Sequence, residues 1–174
     1  MANWNLDTAH SEIEFKVKHM MISSVKGQFE QFDVQVENQG DDLQNAKVSV
    51  SIDTASINTK SEQRDQHLKS DDFFATDNFP KITFVSTQIN KTSDDEYDIT
   101  GDLTVKDVTK PVTLKAEFGG IGKDPWGNQK AGYTVVGKIN RADFGLTWNA
   151  ALETGGVMVS EEVKFNAEVQ FTVS

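Results

Sequence analysis

Apolar and polar residues alternate along most of this chain. In "IEFKVKH", Ile13, Phe15, Val17 and His19 share one parity and Glu14, Lys16 and Lys18 the other. That is the pattern of a strand buried on one face. In "VKGQFEQFDVQV" the parity flips: Val25, Gly27 and Phe29 lie on one side of the break, Phe32, Val34 and Val36 on the other. One inserted residue, a β-bulge, would keep such a strand's apolar face in place. Alternation resumes through Ala46, Val48, Val50 and Ile52, then Ile82 and Phe84, then Tyr97 to Val105, then Val112 to Phe118. It continues through Tyr133 to Ile139 and closes in the unbroken series Val163 to Val173. About eight alternating strands with few prolines predict an all-β fold, an antiparallel barrel or sandwich.

One segment departs from period two. In "TKSEQRDQHLKS", Thr59 and Glu62 have capping-box spacing, and Asp65 and Lys69 stand four residues apart. Both features predict a short helix. It puts Arg64, His67 and Leu68 on one side and lies between the third and fourth strands, across one mouth of a barrel. Directly after it, Phe73 and Phe74 follow the polar residues without a gap.

Length and charge narrow the function. The 174 residues suit one domain, spanning 1–174, with a sizeable core. A net charge of −10 disfavours nucleic-acid partners and anionic membrane surfaces. No stretch approaches the ~18 apolar residues of a spanning helix, so no stable membrane insertion is expected. Without a basic stretch followed by an apolar run at the start, the expected compartment is the cytoplasm, although an exported protein that had lost its leader would read the same. The absence of cysteine removes disulfides, thiol nucleophiles and thiolate metal sites.

Three polar groupings resemble chemistry. Asp7, His10 and Ser11 have the residue types of a hydrolase triad, but so close in sequence they are expected to serve turn and strand-end hydrogen bonds. His10, His19 and His67 have zinc-ligand character, yet His10 and His19 have opposite parity in a regular strand, so no metal is expected. Arg64 and His67 either fix the helix over the mouth or donate to the oxygen-rich head of an amphiphile, with Phe73 and Phe74 beginning a greasy wall. "RADFGLTWN" shows a similar division, with Arg141 before Phe144, Leu146 and Trp148. Inside, Gly27, Gly101 and Gly137 fall on the inward parity among large phenylalanines. They either leave room for a ligand or mark bends in the strands.

Five blocks then occur in order: "WNLDTAHSEIEFKVKHMMISSVKGQF", "SINTKSEQRDQHLKSDDFF", "FPKITFVST", "GDLTVKDVTKPVTL" and "RADFGL". In this series the chain resembles the YceI-like family of bacterial polyisoprenoid-binding proteins, from about residue 4 onward. The resemblance implies an extended, lipocalin-like, eight-stranded barrel. Its interior would hold a long isoprenoid lipid, a quinone or a polyprenyl pyrophosphate, with no cofactor and no catalytic residue, and the molecule would be a homodimer. On this reading the lining comprises Phe15, Val17, Gly27, Phe29, Phe32, Phe84, Gly101, Leu103 and Gly137. The rim comprises His19, Arg64, His67, Leu68, Phe73, Phe74, Phe144, Leu146 and Trp148. Asp107 stands where the family pattern has glycine, so a turn residue of positive φ is expected there. A lipid esterase or isomerase using His67 or His19 stays open, as does a filled barrel serving as an interaction module.

Overall fold

A computed structural model describes residues 4–19, 23–37, 46–146 and 159–173, with positions 19, 159 and 160 described by backbone alone. Eleven strand segments form one antiparallel sheet: β1 (Trp4–Leu6), β2 (Glu12–His19), β3 (Ser23–Phe29), β4 (Phe32–Glu37), β5 (Lys47–Asp53), β6 (Ile57–Asn58), β7 (Lys81–Lys91), β8 (Glu96–Val105), β9 (Val108–Lys123), β10 (Gln129–Asn140) and β11 (Val159–Val173). Helix α1 (Glu62–Lys69) lies between β6 and β7. The segments make a closed eight-stranded barrel, because β1 with β2, β3 with β4, and β5 with β6 each continue one strand across a break. The last strand closes onto the first, with Trp4 opposite Val173 and Ile13 opposite Ala167.

The parity flip between Phe29 and Phe32 is therefore a corner and not the expected bulge. Here β3 pairs with β2 and β6, whereas β4 pairs with β1 and β5. The neighbouring strands break at the same level, at 3-10 turns over Thr8–His10 and Thr54–Ser56. Their freed backbone groups pair across the seam, as buried amides require: Glu30 N donates to Ser56 O at 3.1 Å, and Asp53 N to Gln31 O at 2.9 Å. Three adjacent strands thus turn together, which lets a sheet of large side chains curl shut.

α1 is capped by Ser61, two residues later than the expected Thr59; its side chain accepts from Arg64 N. Thr59 is instead buried and tied to the helix from outside. Its N and Oγ1 donate to Asp65 Oδ1 (2.9 and 2.5 Å), while Arg64 Nε donates to Thr59 Oγ1 (2.8 Å) and Nη2 to Thr59 O (2.7 Å). Asp65 is spent on this knot and not on the Lys69 pair that its spacing suggested. In the two-residue β8–β9 turn the left-handed residue is Lys106, at φ 57°, and not Asp107 as expected.

Two apolar clusters pack along the inside of the barrel, one toward each end. One packs Trp4, Tyr133, Phe171 and Ala131 at the end holding the β9–β10 turn. The other packs Ile13, Phe29, Ile57, Ile82, Val105, Phe144 and Leu146 toward the end that α1 covers.

Candidate functional site

Inside the wall to which both clusters contribute, the barrel is hollow. A cavity of about 580 Å³ runs inside it, lined from β2, β3, β4, β5, α1 and the five strands that follow. The inward residues Phe15, Val17, Leu103, Leu114, Val135, Phe165 and Ala167 are only half-buried although they point away from bulk solvent. A packed core leaves few voids larger than a water molecule, so half-buried inward hydrocarbon marks an unfilled interior. The lining is overwhelmingly apolar. Its polar members are Glu14, Lys18, Gln63, Arg64, His67 and Arg141.

Of the residues the sequence marked, Phe15, Val17, Phe29, Phe84 and Leu103 line the cavity from strands. Arg64, His67, Leu68, Phe73 and Phe74 line it from α1 and the turn after it, and Leu146 from the segment after β10. Phe32 is set between the two core clusters, and Phe144 is 2% exposed within the α1-end cluster; neither lines the cavity. Of His19 only the backbone is described, opposite Ser23 at the end of β2. Trp148 lies outside the described residues.

The three glycines act differently from the expectation that they leave ligand space. A Cβ on Gly27 would sit 2.3 Å from Phe15 Cζ, one on Gly137 2.5 Å from Phe165 Cζ, and one on Gly101 2.6 Å from Phe84 Cζ. The first two pairs belong to one row: Gly137, Phe165, Phe15 and Gly27 are successive partners across β10, β11, β2 and β3. The missing side chains let the phenyl rings lie flat on the wall. Room is made for the wall's own rings, and the lumen stays open as a result.

At the mouth, the polar groups have structural partners. Arg64 holds Thr59 as described. His67 Nε2 meets Asp72 Oδ2 at 2.9 Å, and its ring stands edge-on to Phe73 with centroids 5.1 Å apart. Arg141 is 4% exposed and donates from Nη1 to Leu146 O at 2.6 Å. Burial pulls its guanidinium below the ordinary value, and the charge of Glu161 opposes that shift. The Asp7–His10–Ser11 grouping does not assemble a triad. His10 Nδ1 meets Asp7 Oδ2 at 2.8 Å, but Ser11 Oγ donates to Asp7 O (2.7 Å) and accepts from Gln170 N (3.0 Å). Among the described residues no group of three or more His, Cys, Asp or Glu is arranged to hold a metal ion.

Sequence reasoning missed the far end of the lining: Val34, Val48, Ile99, Ala116, Tyr133 and Phe171. Their inward parity was readable. How deep the hollow reaches was not, because an inward apolar residue looks the same whether it faces a neighbour or a void.

A profile of the YceI-like domain matches residues 4–171. A UPF0312 protein of Staphylococcus aureus strain MSSA476 is 49% identical over 175 residues, covering 100% of this chain and 99% of its own. The solved YceI protein of Campylobacter jejuni is 35% identical, with a TM-score of 0.75 over 98% of this chain and 97% of that one. The same fold, at 16% identity and a TM-score of 0.71 over the full length of both chains, occurs in a polyisoprenoid binding domain from Saccharophagus degradans implicated in plant cell wall breakdown. With its profile match and its full-length relatives, this chain belongs to the YceI-like family.

Proposed function

We propose that this protein is a non-enzymatic carrier or reservoir for an isoprenoid lipid with a quinone or pyrophosphate head. The observation that carries the reading is the hollow itself: about 580 Å³ bounded by hydrocarbon. Burial of an aliphatic chain is worth ~0.8 kcal/mol per CH2, so such a wall binds hydrocarbon tightly with little polar help. The likeness to a domain described as polyisoprenoid binding supports the ligand class. Asp7, His10 and Ser11 are engaged in strand-end hydrogen bonds and not in a triad, which removes the hydrolytic reading of that grouping. At the mouth, Arg64, His67 and Arg141 supply donors suited to a head group's oxygens. As the family resemblance implies, the working unit is read as a homodimer; a clean monomer by size exclusion with light scattering at high concentration would refute that part.

Thermal unfolding with and without a prenol tests the carrier reading. A ligand held only by the folded barrel at ~100 times its dissociation constant adds about 2.7 kcal/mol. A saturable rise in Tm is expected. No rise with any isoprenoid, alcohol or quinone, would refute the reading.

A further inference from the structure

The molecule carries a net charge of −10, yet one stretch of its outer wall is basic. Lys138 on β10 stands directly opposite Lys164 on β11, Lys164 opposite Lys16 on β2, and Lys16 opposite Lys26 on β3. This row is the outward counterpart of Gly137, Phe165, Phe15 and Gly27: on each strand the lysine is the next residue toward the α1 mouth. All four lysines are exposed. With adjacent strands ~4.8 Å apart, the row spans about 14 Å of wall. Like charges directly opposite one another destabilise a sheet, and acidic partners would remove that cost. Only Lys138 has one, Glu162 Oε2 at 4.0 Å; among the described residues Lys16, Lys26 and Lys164 form no ion pair. Of the other acidic neighbours, Glu14 is half-buried in the cavity lining and the charge of Glu161 acts on Arg141. Lys18, two residues along β2 from Lys16, adds a further exposed cation on the mouth side. A sheet that holds four like charges in line gives up stability, and such local conflicts mark surfaces kept for function.

We propose that this lysine row is the face by which the barrel docks on an anionic bilayer, bringing the α1 mouth to the headgroup layer. The net charge alone speaks against such a surface, but at physiological ionic strength charges are screened within about 8 Å. A membrane that meets the row therefore senses the row and little of the acidic surface beyond it. Lysine is a compact point charge without the planar fork of arginine, which suits mobile headgroups better than one fixed partner. The outward positions flanking the row, Val136, Asn166, Gln28 and Ser24, supply no ring on which a nucleic-acid base could stack. The choice of a bilayer rests on the lipid-carrier reading, since a bilayer is where such a ligand is collected; the row itself does not.

Cosedimentation with vesicles tests the proposal without any cargo. The protein is incubated with vesicles of phosphatidylcholine alone and with vesicles of equal parts phosphatidylcholine and phosphatidylglycerol. Binding is expected to the second set only, and is expected to vanish near 1 M salt, where the screening length falls to about 3 Å. A lysine near an anionic surface is worth about fivefold in partition, so Lys16→Gln with Lys164→Gln should weaken binding about 25-fold. Lys47→Gln with Lys123→Gln makes the same change in net charge at the opposite end of the barrel and should leave binding unchanged. Circular dichroism checks that each variant is folded. No binding to the anionic vesicles, equal binding to both sets, or equal loss in the two double variants would each overturn the docking face and leave the carrier standing. Retention of the protein by DNA through the same lysines, without vesicle binding, would overturn it in favour of a polynucleotide partner. Adding a prenol to the vesicles separates the two readings: lysine-dependent docking with no prenol extracted upholds the face and counts against the carrier.

Discussion

At the scale of single residues, the glycines decide how the wall is finished. Gly27, Gly101 and Gly137 were legible as inward positions, since period two puts them among phenylalanines. What fills the space beside them was not, because it depends on cross-strand register, which no local pattern encodes. The register separates two cases. At Gly137 the atoms a Cβ would meet are the far ends of Phe165 and Leu114, which can swing into the lumen. Gly137→Ala is therefore expected to keep the fold, cost less than ~1 kcal/mol and reduce lipid uptake by crowding the cavity. At Gly101 the nearest atom is the backbone oxygen of Val85, 2.4 Å from a Cβ, beside the irregularity between Ser86 and Gln88. Besides the Phe84 ring, Gly101→Ala meets backbone of Val85 and Ser86 that cannot give way, and it is expected to cost about 1–3 kcal/mol. Urea unfolding of the two variants, paired with a lipid-loading assay, checks the contrast; equal stability loss in both would contradict it.

At the scale of elements, alternation identified the strands because a barrel wall with an apolar inside and a wet outside enforces it on nearly every residue. It failed at Phe29–Phe32, where a bulge and a corner leave the same one-residue parity slip. The helix was legible from its spacing, but its cap was not. Thr59 and Ser61 are both competent N-caps, and the choice fell to Ser61 once Thr59 was committed to Asp65 and Arg64. None of the residues of α1 is buried, so the helix is held over the mouth by this polar knot more than by packing. Asp65→Ala removes the acceptor of two Thr59 donors and leaves the buried Thr59 hydroxyl and N–H in need of another partner, a loss of about 1–3 kcal/mol. Faster amide exchange is expected across residues 59–75, with β8–β10 unchanged, and lipid should exchange faster as well. Uniform acceleration over the whole barrel would mean that the knot holds the fold and not the helix.

At the scale of the whole molecule, closure of the barrel is tied on its outer face where β1, β10 and β11 meet. Lys130 Nζ donates to Asp7 Oδ2 (2.9 Å) and to Thr172 Oγ1 (2.8 Å), and His10 adds a second contact to the same carboxylate. The bond from Lys130, then that from His10, holds the Asp7 carboxyl down to about 2, from an ordinary value of 3.8. A carboxyl depressed in the folded state stabilises above its ordinary value and loses that contribution as pH falls from 3.8 toward about 2. Asp7→Asn should therefore flatten the acid limb of the stability curve in that window and lower stability above it, as urea midpoints at successive pH values would show; a parallel acid limb in the variant would rule the tie out. The sequence carried the Asp7–His10 grouping but not its partner, because Lys130 stands 123 residues away and only barrel closure brings it near. The closed barrel is what makes an isoprenoid carrier possible, and the account stands on its being loaded. The most direct measurement is organic extraction of the protein purified from its own cells without detergent, followed by mass spectrometry with the molar ratio counted. The account predicts an isoprenoid lipid near one molecule per chain; an extract without isoprenoid, from protein that also takes none up when offered it, would contradict it.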